Sequence, residues 1–175
     1  MSNLCRVILA DPPWKLGDKL PGKSRGAEKN YEVMSVGDIM RFPLPETEPD
    51  AWLFMWRLSS MVPEAYEVVK AWGFEHKSEI VWDKLTRTGK PWFGMGRYVR
   101  AAHETCIIAV KGHPKPLSRS VRSRFEAQVG RHSEKPHVFY EIIESLSEGP
   151  YTELFARNTR EGWDSYGLEL ERPHP

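Results

Sequence analysis

Asp11-Pro12-Pro13-Trp14 is the segment of this chain best equipped for chemistry. It follows the apolar run Val7-Ile8-Leu9-Ala10, and two prolines cannot continue a central strand, so the chain must turn there. Asp11 offers a carboxylate, which only accepts hydrogen bonds when ionised. Pro12 and Pro13 add carbonyls with no backbone N–H beside them. Trp14 adds a large flat apolar face. A rigid, acceptor-rich pocket with a stacking wall suits a planar group that bears an exocyclic amine. The amino nitrogen of adenine is such a group, and it is a poor nucleophile because its lone pair is delocalised into the ring. If Asp11 and the Pro12 carbonyl each accept one of its N–H bonds, the nitrogen turns pyramidal and its lone pair points outward. The same oxygens stabilise the positive charge that develops as a methyl group arrives. Trp14 would stack on a base taken out of its helix or from a single strand. Asp11 is expected to be the only carboxylate in this pocket. The plain alternative is a strand end with a turn and a core Trp.

Such a motif needs a scaffold. Residues 7–10 and 51–56 are apolar runs expected as buried strands. Residues 35–41 suit a short helix, with Ser35 as N-cap and Asp38 three residues on. Residues 61–72 carry apolar side chains at helical spacing, and Gly73 stands where a C-cap belongs. Further strands are expected at 76–85, 105–110 and 152–156, and an amphipathic helix at 138–146, entered just after Lys135-Pro136. The two stretches 15–30 and 111–135 are read as long loops that follow strands. Alternation of strands and helices predicts a single α/β domain over 1–175, with a largely parallel sheet covered by helices on both faces. In such sheets ligands sit at the carboxyl ends of the strands. Loops this long in a compact domain are usually functional or disordered.

Composition excludes several classes. Seven Trp, seven Phe and six Tyr are too many for a chain that never packs. No apolar run approaches the ~20 residues of a membrane span, and the first residues lack a signal-peptide pattern, so a cytoplasmic protein is expected. Cys5 and Cys106 each lie in an apolar run and are read as buried thiols rather than a disulfide. The histidines at 76, 103, 113, 132, 137 and 174 form no metal pattern with them. The net charge of +1 hides an asymmetry: seven Lys/Arg stand between 111 and 135 against Glu126 and Glu134, whereas 141–171 is acidic. Lys115, Arg119, Arg122, Arg124 and Arg131 are therefore the expected grip on nucleic-acid phosphates, unless the run is simply a solvated face. Phe93-Gly94-Met95-Gly96 lacks the third Gly and following helix of a phosphate loop. It is read as a bend near the active site, with Arg97 and Arg100 as further phosphate contacts.

A resemblance covers nearly the whole chain. Residues 7–14, Asn30-Tyr31, Met34-Ser35, Trp52-Leu53-Phe54-Met55-Trp56 and Ile80-Val81-Trp82-Asp83-Lys84 resemble, in order, the MT-A70 family of N6-adenine methyltransferases. The likeness continues through His103-Glu104, Val110-Lys111-Gly112, Ser133-Glu134-Lys135-Pro136, Glu153-Leu154-Phe155-Ala156-Arg157, Gly162-Trp163 and Gly167. The chain looks like the short bacterial or phage type. The resemblance implies a Rossmann-like methyltransferase fold with circularly permuted motif order, and S-adenosylmethionine as methyl donor. It implies Asp11, Pro12, Pro13 and Trp14 as catalytic residues. It also implies donor contacts from Asp11 to the amino group and from Lys135 to the carboxylate. Glu153, Phe155, Arg157, Asn158 and Gly167 would line the nucleoside. Lysine at a helix N-terminus is independently a good carboxylate site. Two departures stand out: Asn158-Thr159-Arg160 where larger relatives carry Pro-His-Asn, and Gly167-Leu168 where Gly-Asn is common.

Tyr31 is a candidate for lining the base pocket, and His103-Glu104 is either a structural pair or a substrate contact. DNA is the expected polymer. RNA stays open, because no device for sensing the 2′-hydroxyl is visible. The rival function is a non-catalytic nucleic-acid-binding subunit of the same fold, and the protein is expected as a monomer or homodimer.

Overall fold

The computed structural model describes residues 4–16, 33–96, 98–130 and 134–166. Among them the strands are β1 (Cys5–Ala10), β2 (Thr47–Arg57), β3 (Glu75–Leu85), β4 (His103–Lys111), β5 (Arg124–Gln128), β6 (Tyr151–Leu154) and β7 (Trp163–Tyr166). The helices are α1 (Val36–Met40), α2 (Val62–Ala71) and α3 (His137–Leu146). The strands form one sheet in the order β5-β3-β4-β2-β1-β6-β7. Parallel pairings join β1 to β2, β1 to β6, β3 to β5 and β6 to β7, while β4 runs antiparallel to both β2 and β3. This is a mostly parallel α/β sheet of the Rossmann-like methyltransferase kind.

The alternation of side chains across each strand builds two cores. Ile8, Ala10, Leu53, Met55, Ile107 and Ala109 face α1 and α2, where Ile39, Ala65, Val68, Val69 and Trp72 meet them. Val7, Leu9, Phe54, Trp56, Trp82 and Cys106 face α3, which contributes Phe139, Ile143 and Leu146. The Phe139 ring lies 4.6 Å from Trp56 and 5.7 Å from Phe125, so one helix side chain ties two strands together. Cys5 and Cys106 are both free and buried, and burial pushes both thiols up.

The helix signals translate directly. The Ser35 side chain accepts from the Asp38 N–H and caps α1. Gly73 follows α2 with φ of 80°, the left-handed turn that a Cβ would oppose.

Two expectations need correction. The stretch 111–135 is not a simple loop: β5 lies within it, with Phe125 and Ala127 turned to the core and Arg124, Glu126 and Gln128 outward. Nor does that stretch begin at the carboxyl edge of the sheet. Because β4 is antiparallel, it delivers Lys111 to the opposite, amino edge, beside Ala51 near the start of β2. The chain then climbs back and reaches the carboxyl edge only after Gln128, which pairs with Leu85 at the end of β3.

Candidate active site

At the carboxyl edge, the chain leaves β1 and makes a tight, pinned turn. The Trp14 N–H donates to the Pro12 carbonyl at 2.9 Å, and the Met34 N–H donates to the Pro13 carbonyl at 2.8 Å. Trp14 is only 5% exposed, and its indole N–H donates to the Trp56 carbonyl at 3.2 Å. This corrects the expected open stacking wall. Most of the Trp14 face is spent anchoring the turn to β2. Asp11 stays half-buried above that anchor, with its carboxylate held in place by a rigid backbone.

A cavity of about 170 Å³ opens over this turn. Asp11, Pro12, Pro13 and Trp14 line it together with Trp56, Arg57, Glu104, Lys135 and Arg157. Four charges form a chain at its base. Lys135 Nζ donates to Asp11 Oδ2 at 2.7 Å and lies 3.2 Å from Glu104 Oε2. The other Glu104 oxygen accepts from Lys84. Both cations also stand over indole rings, Lys135 at 5.2 Å from Trp56 and Lys84 at 5.1 Å from Trp82. Burial alone would push Lys135 down, but Asp11 and Glu104 outweigh it and hold its pKa above the usual lysine range. Burial raises Glu104, yet Lys135 and Lys84 overcome that and leave it below the usual carboxylate range. Both shifts favour the charged forms of Lys135 and Glu104. The Nε1 of Trp56, in the cavity wall, is buried with no hydrogen-bond partner among the described residues.

Beside this chain stands a carboxyl of opposite character. Glu153 is next to last in β6 and accepts from the Tyr140 hydroxyl at 3.0 Å. Burial pushes it up to about 7; the Tyr140 bond lowers it and the Asp11 charge raises it. Two residues on, Phe155 has φ of 60°, a strained backbone for a non-glycine side chain. Its ring is buried 4.4 Å from Phe42. The Phe155 side chain is thus core, and only its backbone reaches the edge.

The model of the MT-A70 family matches residues 5–169. The chain belongs to the MT-A70 family. It is 31% identical to the type II methyltransferase M.MunI of Mycoplasma sp, over 94% of this chain and 77% of that protein. It is 30% identical to the N(6)-adenosine-methyltransferase catalytic subunit METTL3 of Homo sapiens, over 96% of this chain but 28% of that one. A Drosophila melanogaster N(6)-adenosine-methyltransferase MT-A70-like protein is also 30% identical, with 27% of its length covered. The chain thus spans most of the Mycoplasma relative but less than a third of the two animal proteins.

This MT-A70 chain brings Asp11, Pro12, Pro13, Trp14, Lys135 and Arg157 to one cavity. Asn158 is exposed just beyond Arg157. Tyr31, Arg97, Arg131 and Gly167 lie outside the described residues. Lys115 is displaced from the site: it lines a different cavity, at the amino edge, because β4 runs antiparallel. Arg119 and Arg122 are exposed on the climb back, and Arg124 is ion-paired to Asp83 and Glu126. Arg100 is exposed near the carboxyl edge, three residues before β4.

Asp11 is not the sole carboxylate of the pocket, since Glu104 lines it too. Sequence reasoning left Glu104 open and assigned neither Lys84 nor Trp56 to the site. The available signal was a charged residue at the mouth of an apolar strand, facing another on the next strand. Among the described residues, no three His, Cys, Asp or Glu side chains are grouped to hold a metal ion. No helix among them is long and apolar enough to cross a membrane.

Proposed function

We propose that this protein transfers a methyl group from S-adenosylmethionine to the exocyclic N6 amine of adenine in nucleic acid, DNA first. The observation that carries the reading is the Asp11 carboxylate. It is fixed at the tip of β1 by a buried lysine and exposed to a cavity whose wall is Pro12 and Pro13. Family membership and the names of the relatives point the same way, since M.MunI is named a type II methyltransferase and METTL3 an N(6)-adenosine-methyltransferase.

The cavity suits the donor's chemistry. An amino acid headgroup needs one anion and one cation, and Asp11 and Lys135 supply them side by side. The orphaned Trp56 N–H adds a buried donor in the same wall. Glu153 and Arg157, at the end of β6, are the groups for a nucleoside, with Asn158 beyond. When bound, S-adenosylmethionine supplies an electrophilic methyl carbon whose bonding pair departs to sulfur.

The chain's own residues do the rest. Asp11 uses Oδ2 for Lys135, and its other oxygen accepts one amine N–H. The Pro12 carbonyl, already holding the Trp14 N–H, has a second lone pair for the other. The amine nitrogen is thereby presented lone pair outward. Its new positive charge is stabilised by the two oxygens. The surplus proton, acidic once the nitrogen is methylated, passes to Asp11 and then to water. Lys135 keeps Asp11 oriented, while Glu104 keeps Lys135 in place and Lys84 holds Glu104.

The test is mass spectrometry of nucleosides from DNA and from RNA treated with the protein and the donor. N6-methyladenine in DNA is expected. Methylated adenine in RNA alone would move the substrate class. A protein that binds the donor and leaves both polymers unmethylated would overturn the reading.

A further inference from the structure

Among the described residues, the connection between β3 and β4, residues 86–102, holds the greatest concentration of exposed large apolar side chains. Phe93 is 77% exposed and Met95 89%, and Tyr98, Val99 and Trp92 are exposed with them. Large apolar side chains concentrated in one short stretch mark an interaction site. The stretch also carries Arg87, Lys90, Arg97 and Arg100 and no Asp or Glu. Arg87, Lys90 and Arg100 make no ion pair among the described residues.

The loop is built to hold these side chains out. The Trp92 N–H donates to the Lys84 carbonyl, and the Gly94 N–H to the Ala101 carbonyl, both at 2.9 Å. A Cβ at Gly94 would strike the Ala101 carbonyl, and one at Gly96 the Val99 carbonyl, so only glycine allows this close approach. The Arg100 guanidinium covers one side of the Phe93 ring at 5.6 Å and also donates to the Gly96 carbonyl at 3.1 Å. The rest of the Phe93 ring faces solvent. The loop rejoins the sheet at His103, one residue before Glu104 in the cavity wall.

Position, charge and aromatic content together select one occupant. We infer that this loop is a base-stacking platform for nucleic acid, on which Phe93 and Met95 pack against bases next to the adenine that enters the cavity. The inference deepens the proposed function and rests on it for the identity of the cavity's occupant. The uniformly basic loop would repel a basic partner and attract a polyanion, while its apolar side chains match base faces. An unstacked strand offers those faces directly, so single-stranded or locally opened DNA is the substrate form that fits. This also supplies the nucleic-acid contact that Lys115, at the other edge, is not placed to make.

The experiment compares two fluorescent strands of equal length and charge, an oligo-deoxyadenylate and the same backbone with abasic sites. Binding is measured by anisotropy for the wild type and for the double variant Phe93→Ala with Met95→Ala. The wild type is expected to prefer the strand with bases by about tenfold, and the variant to lose that preference while keeping its salt slope. Both residues are exposed, so the melting temperature should not move. An undiminished preference in the variant would overturn the platform. So would sedimentation showing a wild-type dimer that the two substitutions dissociate, which would make the patch a contact between copies. A wild type that shows the preference but methylates nothing would leave the platform standing and remove the proposed function.

Discussion

The two edges of the sheet each hold a cavity and ion pairs, and they differ in kind. At the amino edge the cavity is the larger, about 330 Å³ against about 170 Å³. There Arg6 pairs with Glu48 at 2.7 Å, and Asp50 accepts from the His113 backbone N–H. Arg6 also reaches Glu148 at 3.8 Å, but these groups are open to water, with side-chain accessibilities of 36% for Arg6, 26% for Glu48 and 75% for Glu148. At the carboxyl edge the central cation, Lys135, is 10% exposed and shared between two carboxylates. Cavity size therefore does not identify the site. A buried charge beside a rigid acceptor turn does, because Coulomb interactions there are far less screened than their counterparts in water.

That contrast can be broken in several ways. Asp11→Asn keeps the shape and removes the charge; on the proposed reading it lowers methyl transfer to DNA at least about 100-fold. Its circular dichroism and melting temperature should stay near wild type, and retained activity would return the turn to a structural role. Lys135→Met leaves Asp11 and Glu104 facing each other without their cation. In urea unfolding it is expected to cost about 3 kcal/mol, whereas Arg6→Met at the amino edge should cost less than about 1 kcal/mol. Equal losses would show that burial does not distinguish the edges.

Glu153 gives the contrast a pH dependence. Its pKa is about 7 folded against 4.5 for the ordinary group, so the folded state binds its proton more tightly. Stability from that proton is complete below 4.5 and is lost as pH rises through about 7. Glu153→Gln has no proton to lose. Its stability relative to wild type should rise across this window, by on the order of 2 kcal/mol after allowance for partial exposure. A flat difference between pH 4.5 and 8 would remove the raised pKa. The smallest effect is expected at the amino edge again. Lys115→Ala should leave the salt dependence of DNA binding unchanged, while Arg100→Ala should reduce the log–log slope by about one. The reverse result would put the phosphate grip on the far edge.

Much of the fold was legible because its signals are local. The Ser35 cap and Asp38 are three residues apart, and the left-handed Gly73 directly follows the α2 cap residue. Strand β5 was hidden for an equally physical reason. Only Phe125 and Ala127 face the core, and Arg124, Glu126 and Gln128 between them belong to a sheet edge open to water. The direction of β4 had no local signal at all, since an apolar strand packs equally well either way round. That one direction moved Lys115 to the other edge.

The sequence by itself determined the acceptor turn, the alternating strands and the helix ends, because each depends on neighbours a few residues apart. Only the tertiary structure decided which charges share a cavity. Asp11 and Lys135 are 124 positions apart, and Glu104 and Lys84 reach them from two further strands. Coulomb energy depends on distance through space and on how much water intervenes, and neither quantity is written in the order of the residues.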